Sequence, residues 1–394
     1  MEICSSKVEH LYVHVPFCAA KCNYCAFYSE AGNAGKMEDY VEAVATELRG
    51  FIHDPNAAWG HAAYNGSKGD APALQQIELA PKTIFFGGGT PSLLPAALMR
   101  RILEAIGGRG SCRAVSEWTI ECNPSTVSSE KAKLFREFGV NRISMGVQAL
   151  DDELLETIGR VHSVKAAVES YEKLRAAGFD NINLDLMFGL PGQTMEHWKK
   201  TLQRAIELQP EHLSTYCLIL EEDTHFWSLL KQELIKPNEE LELAMYETGM
   251  EMLAAAGYRQ YEISNFAKPN RECAHNIVYW EGKDYIGLGP SACSTVGDRR
   301  WQNAPDTDRY IEGVMSQKPV VSFAEAITPE LRAAERAAFG MRMNDGVPAE
   351  LVKGRWDKEI AELLSAELVH WRNDRLQPTK RGILFADEVA AEFV

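Results

Sequence analysis

Apolar and polar positions follow two rhythms along the first 220 or so residues, and they take turns. A short apolar run, Leu11-Tyr12-Val13-His14-Val15-Pro16-Phe17, predicts a strand over 11–17. Residues 37–51 repeat apolar positions at helical spacing, with Val41, Val44 and Leu48 on one face, and predict a helix. The pair then recurs. Strand 82–86 precedes helix 95–107. Strand 118–122 precedes helix 129–138, for which Ser128 is the N-cap and Gly139 the stop. Strand 142–147 precedes helix 163–177, closed at Gly178. Strand 181–187 precedes helix 194–208, and strand 213–220 follows. Residues 52–78, rich in Gly, Ala, Asn and Asp, read as a variable excursion. Short strands alternating with helices of about 10–15 residues mean βαβ units and a parallel sheet. Right-handed crossovers curl such a sheet into a barrel, so the expected fold is α/β, a partial (β/α)6 barrel of TIM type.

After about residue 222 the rhythm breaks. A helix is expected over 239–256, stopped by Gly257. Then come Tyr261-Glu262-Ile263-Ser264-Asn265-Phe266-Ala267, the string His275-Asn276-Ile277-Val278-Tyr279-Trp280, and a Gly-rich run over 285–291. Helices over 328–342 and 355–367, a short hairpin near 376–379 and a last helix from Gly382 give a winged-helix order. The expected division is a barrel over 1–222, an α/β extension over 223–325 and a winged-helix-like α+β domain over 326–394. There is no internal repeat and no low-complexity tract.

Composition narrows the partners. The 394 residues carry a net charge of −15, which argues against nucleic acid and against an anionic lipid surface. No run of about 18 apolar residues offers a transmembrane helix. The N-terminus has no secretory pattern, so a cytoplasmic protein with reduced thiols is expected. Six of the nine cysteines, Cys4, Cys112, Cys122, Cys217, Cys273 and Cys293, are scattered and read as small, buried or half-buried residues.

The other three are clustered. Cys18, Cys22 and Cys25, at spacing C-x3-C-x2-C, fall in a loop just after the first strand. Three thiols fit an iron–sulfur cluster with one iron open to a non-protein ligand. They also fit a structural zinc ion, with His14 as a fourth ligand. In barrels of this kind the active site lies at the C-terminal ends of the strands. The thiols, Gly87-Gly88-Gly89-Thr90, Glu121, Gln148 and Asp185 all fall there.

The triplet with an aromatic residue before its third cysteine resembles the radical S-adenosylmethionine superfamily. The longer string from Tyr12 to Phe17, with Cys18, Cys22, Asn23, Tyr24 and Cys25, resembles its oxygen-independent coproporphyrinogen oxidase-like branch. The likeness runs from Tyr12 to the winged-helix tail. It implies that Cys18, Cys22 and Cys25 hold a [4Fe–4S] cluster and that the amino and carboxylate groups of S-adenosylmethionine chelate the fourth iron. It further implies cofactor contacts from Tyr12, Tyr24, Gly88, Gly89, Thr90, Glu121, Gln148, Arg160, Asp185 and Ile219. An acidic pair suits an ammonium and a sulfonium, and Arg160 suits a carboxylate. Apart from the resemblance, these carboxylates and Arg160 read equally as helix caps, the glycines as a tight turn and Ile219 as core.

Within that branch, the coproporphyrinogen dehydrogenases extend the triplet to C-x3-C-x2-C-x-C and carry an N-terminal extension. Here Phe27 stands at the fourth cysteine, and about 10 residues precede the first strand. Both features point to a sister group of heme chaperones, which carries the H-N-x-x-Y-W string. The resemblance then implies heme as cargo, contacts from His275, Tyr279 and Trp280 with His275 as an axial ligand, unidentified heme-acceptor proteins, and an electron donor to the cluster. The bland reading of that string is an aromatic core patch with a satisfied histidine. Relatives often have His where Cys293 stands. A coproporphyrinogen III dehydrogenase, or a radical enzyme that opens or alkylates heme, are the rival readings. Whether S-adenosylmethionine is cleaved stays open.

Overall fold

The computed structural model describes residues 6–53, 77–107 and 115–394. Cys4, Cys112 and nearly all of the excursion expected over 52–78 lie outside the described residues. Six strands run parallel in sequence order: β1 (Ser6–Val15), β2 (Ile77–Gly88), β3 (Glu117–Cys122), β4 (Arg142–Gln148), β5 (Ile182–Phe188) and β6 (His212–Cys217). Helices α1 (Ala34–His53), α2 (Ala96–Gly107), α3 (Ser129–Phe138), α4 (Asp152–Thr157), α5 (Val164–Ala176) and α6 (Met195–Glu207) make the crossovers. Strands β1 and β2 start earlier than their apolar runs. The added residues pair with each other, Ser6 with Ile77 and Val8 with Leu79, so the pairing itself supports them. Ser128 caps α3 through the Lys131 N–H, and Gly139 ends it in the left-handed region, as its sequence predicts.

The alternation along β1 explains the layers. Leu11, Val13 and Val15 are fully buried and pack with Val41, Val44 and Leu48 of α1. The intervening residues, His10, Tyr12 and His14, point to the other face, inside the curl of the sheet. The inner face is largely polar: Glu117, Thr119 and Glu121 on β3, Arg142 and Ser144 on β4, Asn183 and Asp185 on β5, His212 and Ser214 on β6. Most of these are buried. A polar inner face needs internal partners, because buried polar groups without them cost about 1–3 kcal/mol each.

The rest of the chain closes the two free edges. α7 (His225–Lys231) and α8 (Glu239–Ala255) lead to β7 (Arg259–Gln260) and β8 (Asn265–Ala267), and β8 pairs antiparallel with β6. α9 (Ala274–Trp280) holds the H-N-x-x-Y-W string. The Gly-rich run supplies β9 (Ile286–Leu288), parallel to β1. These additions make a nine-stranded sheet, β7-β8-β6-β5-β4-β3-β2-β1-β9. β10 (Cys293–Val296), β11 (Arg299–Asn303) and β12 (Val321–Ala326) form a small antiparallel sheet around α10 (Thr307–Met315). The middle segment, the α/β extension, shares the barrel's sheet, and Phe266, Ile286 and Tyr310 share its core.

A second core belongs to the C-terminal unit. It comprises α11 (Pro329–Gly340), β13 (Val347–Pro348), α12 (Ala349–Val352), α13 (Asp357–Ser365), the hairpin β14 (Val369–Arg372) and β15 (Arg375–Pro378), then α14 (Lys380–Leu384) and α15 (Ala386–Ala391). Its antiparallel sheet, β13-β15-β14, has the expected winged-helix character.

Candidate cluster and cofactor site

The loop after β1 is clamped at both ends. Cys18 N–H donates to Glu30 O (2.9 Å) and Glu30 N–H to Pro16 O (2.8 Å), which ties the return of the loop to its start. Asn23 is the second clamp. Its N–H donates to Ile158 O (3.1 Å), its Nδ2 to Thr157 O (2.9 Å), and its carbonyl accepts from Phe226 N–H at the start of α7 (2.9 Å). A loop so tied holds Cys18, Cys22 and Cys25 on the wall of one cavity of about 640 Å³.

The glycines after β2 bring the second strand end against this loop. Gly89 N–H donates to Val15 O (2.7 Å) and Thr90 N–H to Phe17 O (2.8 Å). A Cβ on Gly89 would sit 2.8 Å from Phe17 O. Gly88 has φ +103°, and a Cβ there would strike the His14 ring at 2.6 Å. Glycine is therefore required first by the chain's own packing. Thr90 Oγ1 lies 3.6 Å from Cys18 Sγ.

The remaining strand ends supply charge. Glu121 accepts from the Gly88 N–H, and burial, followed by repulsion from Asp185, pushes its carboxyl up to about 8. Burial also raises Asp185, against the hydrogen bonds of Asn183 Nδ2 (2.7 Å) and Ser144 Oγ (3.3 Å). Behind Asp185 the network continues. Asn183 Oδ1 accepts from His212 Nδ1 (2.6 Å), and His212 Nε2 meets the Tyr261 hydroxyl (2.9 Å). Two like carboxyls short of water are raised together, and a bound cation would relieve both. Arg160 Nη1 donates to Cys22 Sγ (3.5 Å) and Nη2 to Gly146 O (2.6 Å). Its Nε is buried without a protein partner. Gln148 has φ +68°, a left-handed conformation at the bulge where β4 loses register with β5. Its Oε1 accepts from the Tyr216 hydroxyl (2.7 Å).

Of the residues picked from sequence, Cys18, Cys22, Cys25, Tyr24, Gly88, Gly89, Thr90, Glu121, Gln148, Arg160, Asp185, Ile219 and Trp280 line this cavity. Others stand elsewhere. Tyr12 lies one layer back, with its hydroxyl on His14 Nδ1 (3.2 Å). His14 Nε2 is held by Tyr28 O (3.0 Å), so both of its nitrogens are engaged. His275, implied as a heme contact, is not among the lining residues. It is fully buried, its Nδ1 on Thr83 Oγ1 (2.8 Å) and its Nε2 on the Tyr279 hydroxyl (2.9 Å). No nitrogen of His275 is left for iron in this arrangement. Its backbone N–H and that of Ala274 donate to Glu117 (2.9 Å each), which anchors the start of α9. Tyr279 packs edge-on against Tyr285 and stays behind the wall. Cys293 is half-buried and not among the lining residues.

Ser144, Ser214, Tyr216, Asn265 and Asn276 also line the cavity and were not picked out. Only Asn276 carried a signal, since it lies in the same string as Trp280, four residues or one helical turn before it. The chemistry of the donor set fits an iron–sulfur cluster. Three thiols share one wall, and a cation-suited carboxyl pair and a guanidinium sit beside them.

Comparison with known families matches residues 70–205 to the Radical SAM superfamily and residues 327–385 to the HemN C-terminal domain. The chain is 35% identical to a Bacillus subtilis protein named heme chaperone HemW, covering 98% of this chain and 99% of that one. It is 34% identical to the Escherichia coli heme chaperone HemW, covering 98% and 97%. Against the solved structure of coproporphyrinogen III oxidase (HemN) from Escherichia coli, a radical SAM enzyme, the TM-score is 0.79 at 24% identity. That match covers 99% of this chain and 90% of that chain. The last comparison speaks to the fold alone.

Proposed function

The chain belongs to the HemW family of the radical SAM superfamily, and from that premise we propose that it binds heme and passes it to acceptor proteins. In this reading it carries a [4Fe–4S] cluster on Cys18, Cys22 and Cys25, with S-adenosylmethionine beside it. When bound, the cluster supplies one-electron chemistry and the cofactor a cleavable sulfonium. The observation that carries the reading is convergence. Three thiols, the Glu121–Asp185 pair and Arg160 come from separate segments and face one cavity.

The chain's own residues then have separate tasks. Asn23 and Glu30 hold the cluster loop. Glu121 and Asp185 favour a cationic ligand, and Arg160 aligns the Cys22 thiol while keeping Nε for a ligand acceptor. Trp280 and Asn276 extend the wall toward the C-terminal unit. Among the described residues no helix is long and apolar enough to cross a membrane. A soluble carrier that receives electrons from a partner protein accords with this, and we place it in the cytoplasm.

The test is anaerobic cluster reconstitution, then two assays on one sample. Iron and sulfide should load in the wild type and fail in Cys22→Ala. Hemin should then titrate to saturation, while coproporphyrinogen given with S-adenosylmethionine and a reductant should stay unchanged. Formation of protoporphyrinogen at a useful rate would assign the chain to porphyrin synthesis instead.

A further inference from the structure

The floor of the cavity is polar, but its mouth is not. Phe27 is 71% exposed, Ile219 67% and Val161 53%, and all three line the cavity. They come from three separate segments: the cluster loop, the end of β6 and the turn after α4. Large apolar side chains scattered singly on a surface need no explanation, but three from distant segments around one opening form a patch. Each leaves apolar area in water that a flat apolar ligand would cover.

A positive charge is fixed beside this patch. Exposed Lys21 lines the same cavity, and its Nζ donates to Phe27 O (2.6 Å) and Ser29 Oγ (3.1 Å). The two cations on the lining are Lys21 and Arg160, and Arg160 is turned inward to Cys22 and Gly146. In a chain of net charge −15, an outward-facing lysine tied to the backbone of the exposed Phe27 selects for an anion there. Glu221, two residues beyond Ile219, repels an anion from that part of the rim.

We propose that this mouth seats the tetrapyrrole. The macrocycle lies against Phe27, Val161 and Ile219, and a carboxylate at its edge reaches Lys21. The inference rests on the heme-carrier reading and adds the place and the chemistry of the grip. The hold is on the ring and its acidic edge, with no ligand to iron required from His275. A ligand held at an open mouth can leave toward an acceptor without the barrel opening.

The experiment titrates the full, cluster-loaded chain with hemin and with iron-free protoporphyrin IX, followed by quenching of tryptophan emission. Phe27→Asp should weaken both ligands about tenfold or more. Lys21→Glu should weaken both several-fold at low salt, with a smaller loss at high salt. Phe323→Asp, at an exposed position on β12, should bind as the wild type does. Ile219→Asp repeats the test from the segment after β6, away from the cluster loop. Wild-type affinity in both Phe27→Asp and Ile219→Asp overturns the seat. So does retained hemin affinity with loss only of transfer to an acceptor, which would make the mouth a protein-docking surface. If the wild type binds no tetrapyrrole, it is the heme-carrier reading itself that fails.

Discussion

Arg342 lies over the indole of Trp280, its guanidinium carbon 5.2 Å from the ring centroid. Trp280 ends α9 and lines the cavity, while Arg342 follows α11 in the C-terminal unit. Asn344 adds two hydrogen bonds across the same junction, from its N–H to Tyr261 O (3.0 Å) and from Nδ2 to Gln260 O (2.8 Å). The C-terminal unit therefore braces the cavity wall through α9. Arg342→Ala should lower stability by about 1 kcal/mol, the worth of a half-buried cation–π contact, and lower Tm by a few degrees. Asp387→Asn should change Tm very little. That carboxylate bonds Arg342 Nη1 at 2.7 Å, but its side chain is 89% exposed. Thermal melts of the two variants decide whether the stacking or the ion pair matters.

Glu47 makes stability depend on pH. It is buried on α1, where Oε2 accepts from Gly289 N–H (2.9 Å) and the Tyr310 hydroxyl (2.6 Å) and Oε1 from Asn303 Nδ2 (2.9 Å). Burial outweighs these bonds and raises its carboxyl to about 7 from an ordinary 4.5. Below pH 4.5 both folded and unfolded chains are protonated here. Between 4.5 and 7 only the folded chain keeps the proton, so this group's stabilisation falls as pH rises. Above 7 it is gone. The full swing is roughly 3 kcal/mol. Glu47→Gln should flatten that part of the profile and make the protein more stable than wild type at pH 8. Denaturant midpoints at pH 5, 6, 7 and 8 measure it. Equal slopes in both proteins would clear Glu47 of the role.

What sequence could show follows from which interactions are local. The six barrel strands were legible because each apolar run is bounded by turn residues and followed by a helical repeat. Strand β9 was not, since Ile286-Gly287-Leu288 is too short to show a strand period and forms by pairing with Leu11–Val13 from the far end of the chain. Helix α9 was not, because one of its two buried positions is His275, whose burial depends on Thr83 and Glu117, well over a hundred residues away. The thiols of the site declared themselves by spacing. Ser144, Ser214 and Asn265 are lone polar residues on strands, and only the curl of the sheet gathers them under Asp185. The positive φ of Gln148 arises at the bulge between Gly146 and Gln148, where a glutamine carries a conformation its residue type does not announce.

Glu121 should make cofactor binding release a proton. In the ligand-free site burial and the neighbouring Asp185 hold its carboxyl at about 8, so at pH 7 it is mostly protonated. A sulfonium or ammonium nearby stabilises the carboxylate and lowers that value. Affinity for S-adenosylmethionine should therefore rise with pH up to about 8, by at most tenfold per pH unit, and level off beyond. Glu121→Gln should bind more weakly and with a flatter profile. The difference between the two profiles removes any titration of the cofactor itself. Calorimetry of cluster-loaded protein in two buffers of different ionisation enthalpy gives the proton count directly. No proton released at pH 7 would mean that the cation does not bind beside Glu121.

His275 should prove to be a pin for α9 and not an iron ligand. Both ring nitrogens are engaged, its N–H is on Glu117, and its ring stacks on Phe85 with centroids 5.2 Å apart. Burial lowers the imidazole to about 3, so it is neutral across the working pH range and offers no charge to a heme carboxylate. His275→Ala removes the ring and leaves the Thr83 and Tyr279 hydroxyls without that partner. The expected loss is about 2–4 kcal/mol of stability, seen as a lower denaturant midpoint. Hemin bound to the folded variant should keep the wild-type absorption and spin-state spectrum, with affinity reduced by no more than the displacement of Trp280 and Asn276 requires. Phe85→Leu, which loosens the same packing without touching any nitrogen, should lower stability in the same direction and leave the hemin spectrum unchanged. A change from histidine-ligated to unligated hemin in His275→Ala alone would show that α9 opens to release the ring, and the pin assignment would fall.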